Sequence, residues 1–198
     1  MITLVSEEIW EFDLEAAMRE ISPQRREQAL KFRHEQGQRL CVLAYQLLKR
    51  GLREAYGITE NPIFEYNEHG KPSIVGHPEI FFNLSHCKEA AACAISDRPV
   101  GIDVESFRTF KDSLVRYTMS DDECQRIFSA ERPEVEFIRL WTMKEAALKL
   151  IGTGISNDLK TVLSDHPDLH FTTHVAPQYV YTSCENAPVI LQNQNGYQ

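Results

Sequence analysis

Apolar positions along this chain change period several times, and each change marks an element. Residues 2–12 begin as a short strand, and Asp13 follows as a cap for a helix over residues 14–21. Ser22-Pro23 opens another helix, since serine caps well and proline fits the first helical position. Leu30, Phe32, Leu40, Leu43, Ala44, Leu47 and Leu48 then recur at helical spacing, with an end expected near Gly51 or Gly57. Residues 64–66 read as a short strand, and Phe81-Phe82 as the end of a buried one. Residues 90–96 and 100–105 alternate as strands, and the Asp97-Arg98-Pro99 turn between them predicts a hairpin. Residues 114–117, 121–128 and 133–150 read as helices, the last stopped by Gly152-Thr153-Gly154. Strands at 170–175 and 179–183 follow, and the polar tail 192–198 is expected to be disordered. No linker or internal repeat divides the chain, so the pattern gives mixed helix and strand.

Two of these elements carry chemistry. In the strand Val100-Gly101-Ile102-Asp103-Val104-Glu105, period two puts Asp103 and Glu105 on one face and Ile102 and Val104 on the other. In the helix Trp141-Thr142-Met143-Lys144-Glu145-Ala146-Ala147-Leu148-Lys149, residues Trp141, Leu148 and Ile151 form an apolar stripe. Glu145 and Lys149, four apart, are neighbours on one helix face. Three carboxylates and an ammonium can therefore meet where helix crosses strand. Three oxygen ligands suit Mg²⁺, which keeps waters and completes its shell with substrate phosphate. Either piece alone reads as a solvated face or a surface ion pair. A third element strengthens the pair: Gly70-Lys71-Pro72 offers a lysine on a stiffened loop. Beyond it, Asn83, Ser85 and His86 supply phosphate donors where the chain leaves Phe81-Phe82.

Composition narrows the setting. The 198 residues bury a core large enough for one domain or two small halves, and 42% hydrophobic with 25% charged residues is ordinary for a globular chain. No apolar run suits a membrane span, and no basic region precedes an apolar stretch at the N-terminus, so a cytoplasmic protein is expected. The five cysteines, Cys41, Cys87, Cys93, Cys124 and Cys184, form no C-x-x-C pair, which argues against zinc and against a disulfide framework. Cys41 and Cys93 read as small buried residues, and Cys87 has no activating context despite the adjacent His86. A net charge of −8 speaks against nucleic acid as a partner. Residues 19–53 nevertheless hold nine basic and three acidic side chains, which suits a compact polyanion or an acidic protein partner.

Taken together, G-K-P, F-N-L-S-H, G-I-D-V-E and W-x-x-K-E-A-x-x-K, in that order and spacing, resemble the Sfp-type 4′-phosphopantetheinyl transferases over roughly residues 25–154. The resemblance implies an α+β fold of two similar α/β halves related by a pseudo-twofold axis, with the active site between them. Residues 1–100 would form the first half and 101–198 the second. It implies an enzyme that moves the phosphopantetheine arm of coenzyme A onto a serine of an apo acyl or peptidyl carrier protein, acting as a monomer. Asp103, Glu105 and Glu145 would hold Mg²⁺, with Glu145 doubling as a base and Lys149 as the catalytic lysine. Lys71, Ser85 and His86 would contact coenzyme A phosphates. Arg25, Arg26 and Arg39 would reach its 3′-phosphate, in a stretch where Gln28 and Leu40 replace other expected contacts. Glu123 falls where a further acid near the metal is expected. Two readings stay open beside this one: a Mg²⁺-dependent nucleotide phosphohydrolase, and a non-catalytic binder of coenzyme A or carrier.

Overall fold

A computed structural model describes residues 1–152 and 159–187. The expectations for Gly154 and for the tail 192–198 fall outside the described residues. Three-stranded antiparallel sheets dominate the two parts of the chain. The first sheet takes β1 (Ile2–Ser6), β4 (Phe81–His86) and β5 (Ala91–Ser96), with β5 in the middle. It is covered by α1 (Leu14–Glu20), α2 (Pro23–Leu30) and the long α3 (Glu35–Tyr56). A small hairpin of β2 (Phe64–Tyr66) and β3 (Pro72–Ile74) stands beside it. The second sheet takes β6 (Val100–Ser106), β7 (Leu169–Val175) and β8 (Tyr179–Asn186), with β8 in the middle. Helices α4 (Asp112–Thr118), α5 (Asp121–Ser129), α6 (Pro133–Ile151) and α7 (Val162–Asp165) accompany it.

Local signals explain most boundaries. Asp13 accepts from the Ala16 amide and Ser22 from the Arg25 amide, so α1 and α2 start at their expected caps. Ser120 and Glu123 form a complete capping box on α5. Pro133 opens α6, and Gly152 closes it in the left-handed region at φ 76°. The apolar run from Leu30 to Leu48 is not one helix. Lys31 ends α2, and Phe32 folds back against Gly37 in the first turn of α3, which then continues through Gly51 to Gly57.

Two further expectations are corrected. β5 and β6 do not form a hairpin: β5 pairs with β1 and β4, while β6 pairs with β8, from Val100 opposite Glu185 to Ser106 opposite Tyr179. The Asp97-Arg98-Pro99 turn instead carries the chain from one sheet to the other. Nor do Asn83 and Ser85 lie where the chain leaves the core. Both are buried within β4, and their side chains face the free edge of β6. Asn83 Oδ1 accepts from the Ile102 amide at 3.2 Å, and Ser85 Oγ from the Val104 amide at 3.3 Å. Side chains thus satisfy backbone donors that a strand ladder would otherwise take.

Period two on β6 then decides what meets α6. Ile102 and Val104 join Ala92 and Ala94 of β5 in an apolar layer. Gly101, Asp103 and Glu105 lie on the other face. Gly101 meets α6 backbone to backbone, leaving no room for a Cβ beside the Ala146 carbonyl. That contact, with the buried Thr142–Thr182 hydrogen bond of 2.8 Å to β8, seats α6 on the sheet.

Candidate active site

Asp103 is 4% exposed and lies directly under α6. Lys149 Nζ donates to Asp103 Oδ1 at 2.6 Å and to Ser85 Oγ at 3.0 Å. The Ser85 hydroxyl in turn donates to Asp103 Oδ1 at 2.9 Å. One hydroxyl therefore joins β4, β6 and α6. The remaining oxygen, Asp103 Oδ2, is buried with no hydrogen-bond partner. A carboxylate oxygen in that state is costly unless another group meets it.

Glu105 and Glu145 are half-buried beside this cluster. Burial pushes the Glu105 carboxyl above the usual carboxylate range. The charges of Asp103 and Glu145 push it further, against the pull of Arg108 and Lys149. Glu145 is raised by burial and by Asp103, and eased by Lys149. Three carboxylates thus repel one another around a single ammonium. Among the described residues no three Asp, Glu, His or Cys side chains stand ready as a metal cage. The donor set nonetheless fits a hard cation: all oxygen, partly desolvated, mutually repulsive, with one buried oxygen unpartnered.

A cavity of about 270 Å³ opens alongside, bounded by Glu145, Leu148 and Lys149 on α6, by Asn83 and Leu84 on β4, and by the turn from His69 to Pro72. Asn67 organises that turn, accepting from the His69 and Lys71 amides. It also ties the turn to α6, donating to the Gly152 carbonyl at 3.3 Å. Lys71 Nζ donates to the Leu150 carbonyl at 2.6 Å, capping the C-terminal end of α6, and burial lowers its pKa. Lys71 therefore lines the cavity with its ammonium held by helix backbone.

Other expected phosphate contacts are also engaged with protein. His86 packs edge-on against Phe32, and burial, Arg25 and Lys149 depress its pKa. Arg25 donates through Nε and Nη2 to the Cys41 carbonyl, and Arg26 through Nε to the Met18 carbonyl at 2.6 Å. Arg39 holds the Phe12 carbonyl at 2.7 Å, pairs with Glu35 and lies over Trp10. Glu123 does not join the carboxylates: it accepts from buried Lys144 at 2.7 Å. All five cysteines are buried and free, and burial raises the thiol pKa of Cys87 above the ordinary range, against a nucleophilic role.

Sequence reasoning missed Asn83 as a bridge, Gly101 as the seat of α6 and Leu84 and Leu148 as cavity walls. A glycine inside a strand was the available signal for Gly101. The others depend on strand placement that no local pattern encodes.

Comparison with known proteins gives the family of this mixed α and β fold. The profile of the 4′-phosphopantetheinyl transferase superfamily matches residues 99–193. The chain is 36% identical over 170 residues to the 4′-phosphopantetheinyl transferase psf-1 of Bacillus pumilus, covering 82% of this chain and 73% of the relative. It is 29% identical over 186 residues to the 4′-phosphopantetheinyl transferase Sfp of Bacillus subtilis (strain 168), covering 85% and 83%. To the 4′-phosphopantetheinyl transferase gsp of Aneurinibacillus migulanus it is 36% identical over 117 residues, covering 58% and 48%. The chain belongs to the 4′-phosphopantetheinyl transferase superfamily. Among the described residues no helix is long and apolar enough to cross a membrane.

Proposed function

We propose that this enzyme transfers the 4′-phosphopantetheine arm of coenzyme A to a serine hydroxyl of an apo acyl or peptidyl carrier protein. Family membership supports the reaction class, and the carboxylate cluster with its orphaned Asp103 oxygen carries the assignment of the site. In the reaction, the serine oxygen forms a bond to the β-phosphorus of coenzyme A. The bond from that phosphorus to the bridging oxygen breaks, and adenosine 3′,5′-bisphosphate leaves.

Asp103, Glu105 and Glu145 would hold Mg²⁺. When bound, it supplies charge neutralisation and Lewis-acid polarisation at the pyrophosphate. Glu145, its carboxyl raised in pKa, is suited to take the serine proton, directly or through water. Lys149 now rests on Asp103. Lys149 also borders the cavity, and its ammonium would neutralise the leaving phosphate and pass it a proton. Lys71, which borders the cavity, together with Ser85 and His86 on β4, would meet the substrate phosphates, and Arg25 would reach the 3′-phosphate. Arg39 is the weaker candidate there, because Glu35 and the Phe12 carbonyl already hold it.

We read the two parts, divided near Val100, as halves related by a pseudo-twofold axis with coenzyme A between them. A long helix on a three-stranded antiparallel sheet in each part supports that reading. The test is incubation with coenzyme A, Mg²⁺ and an apo-carrier, followed by mass spectrometry of the carrier. A gain of one phosphopantetheine per carrier is expected. Nucleotide turnover without carrier modification would mark a phosphohydrolase instead, and binding without turnover a non-catalytic binder.

A further inference from the structure

Gly101 seats α6 on the β6 side. The opposite side carries Lys144, 1% exposed and among the largest fully buried side chains. Lysine is almost never buried this far unless paired. Its Nζ donates to Glu123 Oε2 at 2.7 Å and to the Leu159 carbonyl at 2.7 Å. Glu123 Oε2 also accepts from the Ser120 amide at 2.7 Å, closing the capping box of α5. One ammonium thus ties the start of α5, the middle of α6 and the chain where it returns at Leu159. Well-packed apolar side chains of similar volume often stabilise a site as well as or better than a buried ion pair, so stability alone gives little reason for a charge here.

Geometry supplies the reason. Lys144 adjoins Glu145, and successive helix residues point about 100° apart. Any roll of α6 about its axis therefore swings Lys144, Glu145 and Lys149 together. The Gly101 contact and the Thr142–Thr182 bond hold α6 from the sheet side, and the two short bonds from the Lys144 ammonium to Glu123 and the Leu159 carbonyl fix its rotation from the other.

We propose that Lys144 is a positioning residue, whose bonds to Glu123 and to the Leu159 carbonyl set the rotation of α6 and so aim Glu145 and Lys149 at the substrate pyrophosphate. The inference rests on the transferase reading. It also assigns Glu123 a part in catalysis through helix placement, outside the carboxylate cluster.

The test compares wild type, Lys144→Met, Glu123→Gln and the double variant with coenzyme A, Mg²⁺ and apo-carrier, well below each melting temperature. Steady-state and single-turnover rates are normalised to folded protein by circular dichroism. A misaimed helix is expected to lower kcat by ~10–100-fold, leaving the KM and calorimetric Kd for coenzyme A within about threefold of wild type. The double variant should be no slower than the slower single, since both break one interaction. Variants that melt earlier but keep wild-type kcat would overturn the proposal and leave Lys144 a packing residue. Lost coenzyme A affinity with unchanged kcat would overturn it equally. Should Lys144→Met fail to fold, Glu123→Gln carries the test, because it keeps side-chain volume and the acceptor for Ser120. A wild type that modifies no carrier would reject the transferase reading itself, whatever the variants do.

Discussion

Adding one methyl group at Gly101 should disable the enzyme from beneath its helix. A Cβ built there stands 2.8 Å from the Leu150 amide nitrogen and 3.0 Å from the Ala146 carbonyl carbon, and closer still to the Ala146 oxygen. Ordinary contact begins at 3.4 Å, so Leu150 alone demands a retreat of about 0.6 Å and the carbonyl oxygen demands more. These are backbone atoms of α6, which cannot swing aside as a side-chain tip does. The helix must lift as a body, carrying Glu145 and Lys149. A lift of roughly 1 Å stretches the 2.6 Å Lys149–Asp103 bond beyond hydrogen-bond range. Overpacking of this kind costs about 1–3 kcal/mol, and a misplacement of that size costs on the order of 10²-fold in rate. Thermal melts and carrier-modification rates for Gly101→Ala measure both. A variant with wild-type melting temperature and turnover would refute the close backbone seating of α6.

Lys149→Met should slow the chemical step by ~10²–10⁴-fold with little change in coenzyme A affinity, and normal single-turnover rates would remove Lys149 from the reaction. Glu145→Gln should raise the melting temperature in metal-free buffer at neutral pH. Its raised pKa means that ionisation destabilises the fold, so the gain should fade as pH falls towards 4.5. A gain that does not change with pH would contradict the repulsion argument. His86 has the opposite sign. Its depressed pKa means that the unfolded chain takes up a proton first, so wild-type stability should fall as pH drops below 6.5. His86→Asn should flatten that part of the melting profile, and an unaltered profile would show that His86 titrates as it does in the unfolded chain. If coenzyme A phosphate contacts this ring, the ligand-induced shift should grow at acid pH in wild type alone.

The second half of the chain was legible because its signals are local. The Ser120 capping box, Pro133 and Gly152 bracket the helices. The spacing of Asp103, Glu145 and Lys149 brought an acid and a lysine together across strand and helix, as alternation and helical periodicity require. What failed was pairing. The turn at Asp97-Arg98-Pro99 looks like a hairpin to any local rule, yet β6 takes its partner from residues 179–185. Donors were legible as residue types, but their acceptors were not. Nothing near Lys71 says that its ammonium will meet the Leu150 carbonyl, nor does anything near Arg39 point to Phe12. Such bonds depend on where distant elements stop, and helical or strand period carries no record of that.

The seam between β4 and β6 has a kinetic consequence. In a strand ladder, an amide meets solvent only when two backbones part. The Ile102 and Val104 amides are instead held by the Asn83 and Ser85 side chains. A rotamer change can release each of them without unzipping either sheet. Deuterium should therefore enter at Ile102 and Val104 faster than at amides paired within either sheet, although these two lie at the centre of the molecule. Because Ser85 also binds Asp103 and Lys149, filling the active site should slow exchange at Val104 more than at Ile102. The exchange rates of these two amides would then report, without any attached probe, whether the site is occupied.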